Sequence, residues 1–415
     1  MGEIKRDSSF IKIEIEKNLT QLIEKISVVS LVDLFVEYAY SLRASDIHIQ
    51  PEEEVLRIRF RIDGMLQDIF KTVVIRKDIH PEIISRIKVL AGLRTDEHLA
   101  PQDGRIKVKV KDFGEINVRV SIVPTYYGEN AILRVLAETQ GYTLNDLGFS
   151  PSNLKKVERS IQKPYGMILA NGPTGSGKTT TLYTILKTLN KPDVSIVTIE
   201  DPIEYSLVGT TQIQTNAEIG FTFATGLRSI LRQDPNVIMV GEIRDEETAS
   251  IAVNAALTGH LVLSTLHTND AATTFPRLLD MGVPPFLAAS TVNVAMGQRL
   301  VRTICTKCKQ PRVLSDTEIK SLAEIIPEAA RYHGKFFEGK GCAACNNTGY
   351  VGRTGIREVL EVNEEIRQLI MNRANARQIK DAAVKAGMTT MVEDALERAS
   401  KGITSIAEIL RIIHE

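Results

Sequence analysis

Tryptophan is absent from this chain, and aromatic residues together make up only 5% of it. That leaves few platforms for stacking bases and argues against a protein that tracks single-stranded nucleic acid. An excess of either charge is missing too. Lys plus Arg number 51 and Asp plus Glu number 51, so no overall field draws the chain to nucleic acid or anionic lipid. No apolar run reaches the roughly 18–20 residues that a bilayer span needs. The longest, "IAVNAALTGHLVLSTLH", is broken by Asn254, Gly259 and His260. The start, "MGEIKRDSSFIKIEIEKNL", alternates charge with short apolar steps and lacks the continuous apolar stretch of a signal peptide. The expectation is a cytoplasmic protein whose membrane contact is peripheral and made through partners. Cysteine is scarce as well: four residues in two close pairs, which in that compartment point to metal rather than disulfides.

What is present is a globular composition, 43% apolar and 25% charged, over 415 residues. That length is too great for one ordinary core, so two or three domains are expected. Residues 1–28 read as an amino-terminal remnant. Residues 29–140 read as a smaller α+β domain: a helical pattern is followed by short alternating runs such as "SDIHIQP", "VLRIRFRIDG", "RIKVKV", "EINVRVSIV" and "NAILRVL". Gly, Asn, Asp, Ser and Pro break the period over 141–152, which reads as a linker. From 153 to 300 the strands become continuous apolar runs alternating with helices: "GMILANG", "VSIVTIED", "PNVIMVGEI" and "HLVLSTLHT". That pattern predicts an α/β core, a parallel sheet covered by helices on both faces. Residues 301–355 hold the cysteines, and 356–415 read as a helical region.

The core opens on a phosphate cradle. Gly172, Pro173, Thr174, Gly175, Ser176, Gly177, Lys178 and Thr179 fit GxxxxGK(S/T) between an apolar strand and a helix. Glycines let backbone N–H groups close around phosphate oxygens. Lys178 would reach the β- and γ-phosphates of ATP, the Thr179 hydroxyl would ligate Mg²⁺, and Thr180 follows on the same turn. The helix points its positive end at the same anion.

Hydrolysis also needs carboxylates. Glu242 ends the apolar strand of "PNVIMVGEIRD", where an acid that orients Mg²⁺ belongs. Glu200, Asp201 and Glu204 cluster at another strand end in "TIEDPIEY". Acids packed beside a phosphate site repel it unless Mg²⁺ or Arg compensates, which favours a functional reading. Glu204 is the candidate for polarising the attacking water and Glu242 for the Mg²⁺ shell, with the two roles open to exchange. His260 and His267 stand at the two ends of "HLVLSTLH". His267, at a polar strand end, is the candidate sensor of the γ-phosphate, and His260 is a second nucleotide-site candidate.

Taken in order, the phosphate loop, "TIEDPIEY", "MVGEIRD" and "TGHLVLSTLHTNDA" resemble the Walker A, Asp box, Walker B and His box of the secretion ATPase superfamily. That superfamily drives type II secretion and type IV pilus assembly. Upstream, "ASDIHIQP", "FRIDG", "LAPQDGRI" and "VRVSIVPTYYGENAILRVL" resemble its amino-terminal α/β domain. The resemblance covers about residues 30–415 and implies a homo-hexameric ring of RecA-like P-loop domains. In such a ring the smaller domain closes over nucleotide, and an inner-membrane platform is the partner. It also implies that Arg119 and Arg134 reach the γ-phosphate from the smaller domain. Arg228 and Arg232 would add positive charge from the larger one. A dissociative phosphoryl transfer needs such cations around the γ oxygens.

Cys305 and Cys308, with Cys342 and Cys345, form two CxxC knuckles able to close a tetrahedral Zn²⁺ site. The long gap between them argues for a loop-bearing module over a compact ribbon, with redox-active dithiols as the alternative. Such a module resembles the export and assembly branch of the superfamily rather than the pilus-retraction branch. Many export members carry a long amino-terminal docking domain, whereas about 30 residues precede the α/β module here. The alternatives to a motor are a RecA-like nucleic-acid translocase and a slow nucleotide-gated assembly scaffold.

Overall fold

A computed structural model describes residues 8–19, 27–70, 73–110, 114–136, 142–332 and 334–414. The chain divides into two compact units, Met1–Thr139 and Gln140–Glu415.

In the first unit the described residues form α1 (Ser8–Leu19), α2 (Val28–Ser41), β1 (Ala44–Pro51), β2 (Leu56–Ile62), β3 (Met65–Asp68), α3 (His80–Ala91), β4 (Gln102–Val110), β5 (Gly114–Thr125) and β6 (Gly128–Leu136). The strands make an antiparallel sheet of order β3-β2-β1-β6-β5-β4. Alternation sets its faces. In β2, Leu56, Ile58 and Phe60 are buried while Arg57, Arg59 and Arg61 point the other way. Asp63 and Gly64, both with positive φ, turn β2 into β3, the geometry that a two-residue hairpin demands. Helices α2 and α3 cover the apolar face, where Phe35, Tyr38, Phe60 and Phe70 pack ring against ring. The stretch read as a remnant contains α1, whose Ile11, Ile15 and Leu19 are buried in this same core. Residues 1–7 and 20–26 of it lie outside the described residues.

One polar cluster in this unit is mostly buried, with His98 at its exposed edge. The ammonium of Lys88, on α3, is fully buried and sits 2.7 Å from Oε1 of Glu129, on β6. His98 Nδ1 lies 2.8 Å from the other carboxylate oxygen.

The second unit holds α4 (Pro151–Ile161), β7 (Gly166–Asn171), α5 (Lys178–Leu189), β8 (Ile196–Glu200), β9 (Thr211–Gln214), α6 (Phe223–Ile230), β10 (Val237–Val240), α7 (Glu246–Leu257), β11 (Leu261–Leu266), α8 (Thr274–Asp280), α9 (Pro285–Thr291) and β12 (Val292–Ile304). There follow β13 (Lys309–Val313), α10 (Asp316–Ile325), β14 (Lys335–Gly339), β15 (Tyr350–Glu361), α11 (Glu364–Met371), α12 (Ala376–Lys385), α13 (Met391–Ser400) and α14 (Ile406–His414). The main sheet runs β15-β12-β7-β11-β10-β8-β9, parallel throughout except for the antiparallel β12–β15 pair. Every residue of β7, β8, β10 and β11 is buried, as expected of parallel strands covered on both faces. Helices α4 and α5 pack on one face, and α6, α7, α9, α11 and α12 on the other.

Three expected boundaries differ from this architecture. Those at 300 and 355 fall inside β12 and β15, so the cysteine segment is an excursion between two paired strands of the main sheet. The helical region beyond it packs back on the sheet: α11 and α12 supply Ile366, Ile370 and Ile379 to the core. The stretch read as a linker is packed from Leu144 on, with Leu144 and Leu147 in the core of the second unit. Gly141 lies outside the described residues. Breaker residues marked the loss of period there but not the burial of the two leucines between them.

Truncating Lys88 to Ala would leave Glu129 as an inadequately compensated buried charge. A loss of about 3 kcal/mol is expected for the first unit, measured by urea unfolding of Lys88→Ala. An unchanged midpoint would show that the pair contributes nothing.

Candidate functional site

The parallel register places the carboxyl ends of β7, β11 and β10 side by side: Asn171 lies opposite Leu266, and Ser264 opposite Val240. The phosphate loop leaves β7 at this edge. Gly172 (φ 146°) passes so close to β12 that a Cβ would stand 2.5 Å from the Gln298 carbonyl oxygen. Gly177 (φ 88°) occupies the left-handed position at the start of α5. The Lys178 ammonium is buried and donates to the carbonyls of Gly172 (2.7 Å) and Pro173 (3.0 Å). Burial pushes its pKa down to about 8; Glu242 pulls it up and Arg299 pushes it further down. Thr179 and Thr180 stand half-buried on the first turn of α5. The Ser176 hydroxyl is buried with no hydrogen-bond partner among the described residues. An orphaned hydroxyl, a cradle that a Cβ would fill and the positive end of a helix together fit a phosphate group.

Sequence reasoning missed what holds this loop. Gln298, fully buried on β12, donates to the Ser176 carbonyl (3.0 Å) and accepts from the Thr181 hydroxyl (3.0 Å). The available signal was a buried-strand pattern, "VNVAMGQRLV", interrupted by two amides, Asn293 and Gln298. Arg299, its neighbour, was missed as a cation close to Lys178.

Glu242 follows β10, nearly buried. His267 Nε2 lies 3.0 Å from one of its carboxylate oxygens, and Arg244 pairs with the other. Lys178, Glu242 and His267 are thus brought together. His260 is not. It precedes β11, so six residues of extended chain, about 20 Å, separate it from His267. There its Nδ1 lies 3.0 Å from the Ala255 carbonyl oxygen. His260 therefore stands apart from Lys178, Glu242 and His267, because a parallel strand has its two ends on opposite edges of the sheet.

Glu200 is buried, and its carboxylate accepts from Thr198 (2.6 Å), Gln212 (3.1 Å) and Tyr183. Burial pushes its carboxyl up, against those three bonds, and the nearby charge of Glu204 adds to the rise. These contacts brace α5 against β8 and β9, so this carboxylate is used within the fold. Asp201 is exposed and joined to Pro202 by a cis peptide bond. Arg228, on α6, pairs with Glu247 at 2.6 Å, and Arg232 donates back to the Arg228 carbonyl and the Ser229 hydroxyl.

In the first unit, register lines up Arg105, Arg119, Arg134, Asp46 and Arg61 across five strands. Asp46 accepts from Arg134 Nε (2.9 Å) and lies 3.4 Å from Arg61 Nε. Like charges directly opposite one another destabilise a sheet. The row sets four arginines around one aspartate on the face that carries Arg119 and Arg134. Arg61, Arg105 and Asp46 were not singled out in the sequence.

The four cysteine sulfurs lie within 4.8 Å of one another. The Sγ–Sγ separations are 3.8 Å for Cys305–Cys342, 3.8 Å for Cys308–Cys345 and 3.7 Å for Cys342–Cys345. A tetrahedron with Zn–S bonds of about 2.3 Å has edges of about 3.8 Å, whereas a disulfide needs about 2.05 Å. The spacing excludes a formed disulfide, and the convergence of all four sulfurs on one point fits zinc. Burial pushes the Cys345 thiol up, but N–H bonds from Cys342 and Gly349 and the neighbouring thiols outweigh that and bring it to about 7.

The family described as Type II/IV secretion system protein matches residues 21–411. The chain is 43% identical over 408 residues to the type IV pilus assembly ATPase PilB of Myxococcus xanthus, across 96% of this chain and 71% of that one. It is 45% identical over 400 residues to type II secretion system protein E of Xanthomonas campestris pv. campestris, across 96% and 69%. Among solved structures, the pilus retraction motor PilT with bound ADP superposes with a TM-score of 0.62 at 25% identity. That match covers 92% of this chain and 96% of the other.

Elemental analysis of the purified protein should find about one zinc per chain, falling when Cys345→Ser removes a ligand. Zinc-free protein with intact thiols would refute the assignment. Lys178→Ala is expected to abolish ATP turnover, while Glu242→Gln should lower kcat by about a hundredfold or more and still bind ATP. Turnover at the parental rate in either variant would remove that residue from the site.

Proposed function

Because the chain belongs to the Type II/IV secretion system protein family, we propose that it is a motor ATPase driving assembly of a type II secretion pseudopilus or a type IV pilus. The observation that carries this reading is the meeting of Lys178, Glu242 and His267 beside a phosphate cradle, at one edge of a parallel sheet. Relatives at 43% and 45% identity, one a pilus assembly ATPase and one a type II secretion protein E, support the export direction.

The working parts are assigned as follows. The loop amides and Lys178 hold the β- and γ-phosphates of ATP. Thr179 and Glu242 hold Mg²⁺, which supplies neutralisation of the phosphate charge when bound. Glu204 polarises the attacking water, and His267, resting against Glu242, senses the γ-phosphate. Arg119 and Arg134, on the α+β domain of residues 29–140, supply cations to the γ-phosphate as that domain closes over nucleotide, so that hydrolysis is coupled to movement. Six copies form a ring, and the ring acts on an inner-membrane platform protein, its route to the membrane surface. No helix among the described residues is long and apolar enough to cross a membrane, in keeping with contact through such a partner.

Two measurements test the proposal together. Analytical ultracentrifugation with ATP and Mg²⁺ should show hexamers, or a concentration-dependent approach to them. The ATPase rate should rise when a cognate platform protein is added, and Arg134→Ala should lower kcat without preventing ATP binding. A strict monomer in every nucleotide state, or a rate that single-stranded DNA stimulates and the platform does not, would overturn it.

A further inference from the structure

Glu358, on β15, is buried to 1% exposure, far from the phosphate loop in sequence and unmarked by any motif. Its Oε1 accepts from the Ala271 N–H at 2.8 Å, and its Oε2 accepts from the Met391 N–H at 3.1 Å. Met391 is the first residue of α13, so Glu358 satisfies an amide that the helix cannot. Burial pushes its carboxyl up, and the two amides and the charge of Lys380 oppose that. Space is reserved for the contact. Gly297 lies opposite Glu358 across β12–β15, and a Cβ there would stand 3.0 Å from the Ala271 nitrogen and from the Glu358 side chain.

Ala271 lies in the loop that begins at His267 and runs to the start of α8 at Thr274. Inside that loop Thr268 donates to the Asp270 carbonyl (3.1 Å), and Asp270 accepts from the Thr273 N–H (2.8 Å) and hydroxyl (2.5 Å). It therefore behaves as one stiff piece with two hydrogen-bonded outside anchors, His267 on Glu242 and Ala271 on Glu358, beside a longer Lys380–Asp270 ion pair at 3.9 Å. A stiff loop held at one end alone can swing at the other, and a displacement of about 1 Å at a catalytic group costs up to about a hundredfold in rate.

The geometry points to Glu358 as a positioning residue for ATP hydrolysis, which fixes the 267–273 loop and so keeps His267 against Glu242. The inference rests on the reading of His267 as a γ-phosphate sensor. Both carboxylate oxygens of Glu358 are taken by backbone amides within the core. Its effect should fall on kcat and pass through His267, leaving the KM for ATP, set at the phosphate loop, nearly unchanged.

The test is a double-mutant cycle on the full chain with steady-state ATPase kinetics. Glu358→Gln keeps the shape but offers only one accepting oxygen to two N–H groups. It is expected to lower kcat about tenfold with KM within about twofold. In a His267→Ala background the same substitution should cost less than about twofold, because the group it positions is gone. Hydrogen exchange should quicken in the peptide holding Ala271 and not in the one holding Lys178. If Glu358→Gln fails to fold, Glu358→Asp, which keeps the charge and shortens the reach, should show the same dependence on His267. A full additive loss in the His267→Ala background would overturn the role of Glu358 alone. Unchanged kcat in His267→Ala by itself would overturn it together with the reading of His267.

Discussion

The backbone of Gly172 passes β12 with no room for a side chain, and the rest of the nucleotide site depends on that approach. It brings the phosphate loop within reach of Gln298, whose amide holds Ser176 and Thr181 at once. With both ends of the loop fixed, the Lys178 ammonium is folded onto the loop's own carbonyls in a buried place, which pushes its pKa to about 8. A cation so placed gains strongly from an anion beside it, since water screens the pair little. Glu242 supplies part of that negative charge, and His267 and Arg244 in turn hold Glu242. The cradle, the acid and the histidine thus form one connected polar network at the edge of an otherwise apolar sheet.

That edge exists because the strands are parallel. Their carboxyl ends converge, and loops of very different sequence position meet there. The same rule sets His260 at the opposite edge, although only six residues separate it from His267. On the first unit a different constraint operates. Four arginines share a cross-strand row with one aspartate, an arrangement that a sheet selected for stability alone would avoid.

How much of this was legible in the sequence follows the range of the interactions. Continuous apolar strands, the glycine spacing of the cradle, Glu242 at a strand end and the paired cysteines are local patterns, and each could be read directly. Gln298 bonds to Ser176 across 122 residues and Glu358 to Ala271 across 87, and no periodicity records such a pairing. Strands β12 and β15 escaped notice because their polar residues are satisfied by distant elements rather than set by alternation: Gln298 by the phosphate loop and α5, Arg302 by α14, and Glu358 by Ala271 and α13. The packed stretch from Leu144 was hidden by breaker residues around Leu144 and Leu147. Glu200 was legible as an acid near the site, but not as one already committed to Tyr183, Thr198 and Gln212.

The central claim is that the phosphate cradle keeps its shape because β12 holds it. Equilibrium binding of Mg·ATP to Gln298→Leu tests it most directly, with the fold checked by circular dichroism. Leucine fills the same space but leaves the Ser176 carbonyl and the Thr181 hydroxyl without their partner, at a cost of about 1–3 kcal/mol for each buried group. The account predicts a folded protein whose Kd for Mg·ATP rises at least about tenfold. A folded Gln298→Leu variant with the parental Kd would contradict it.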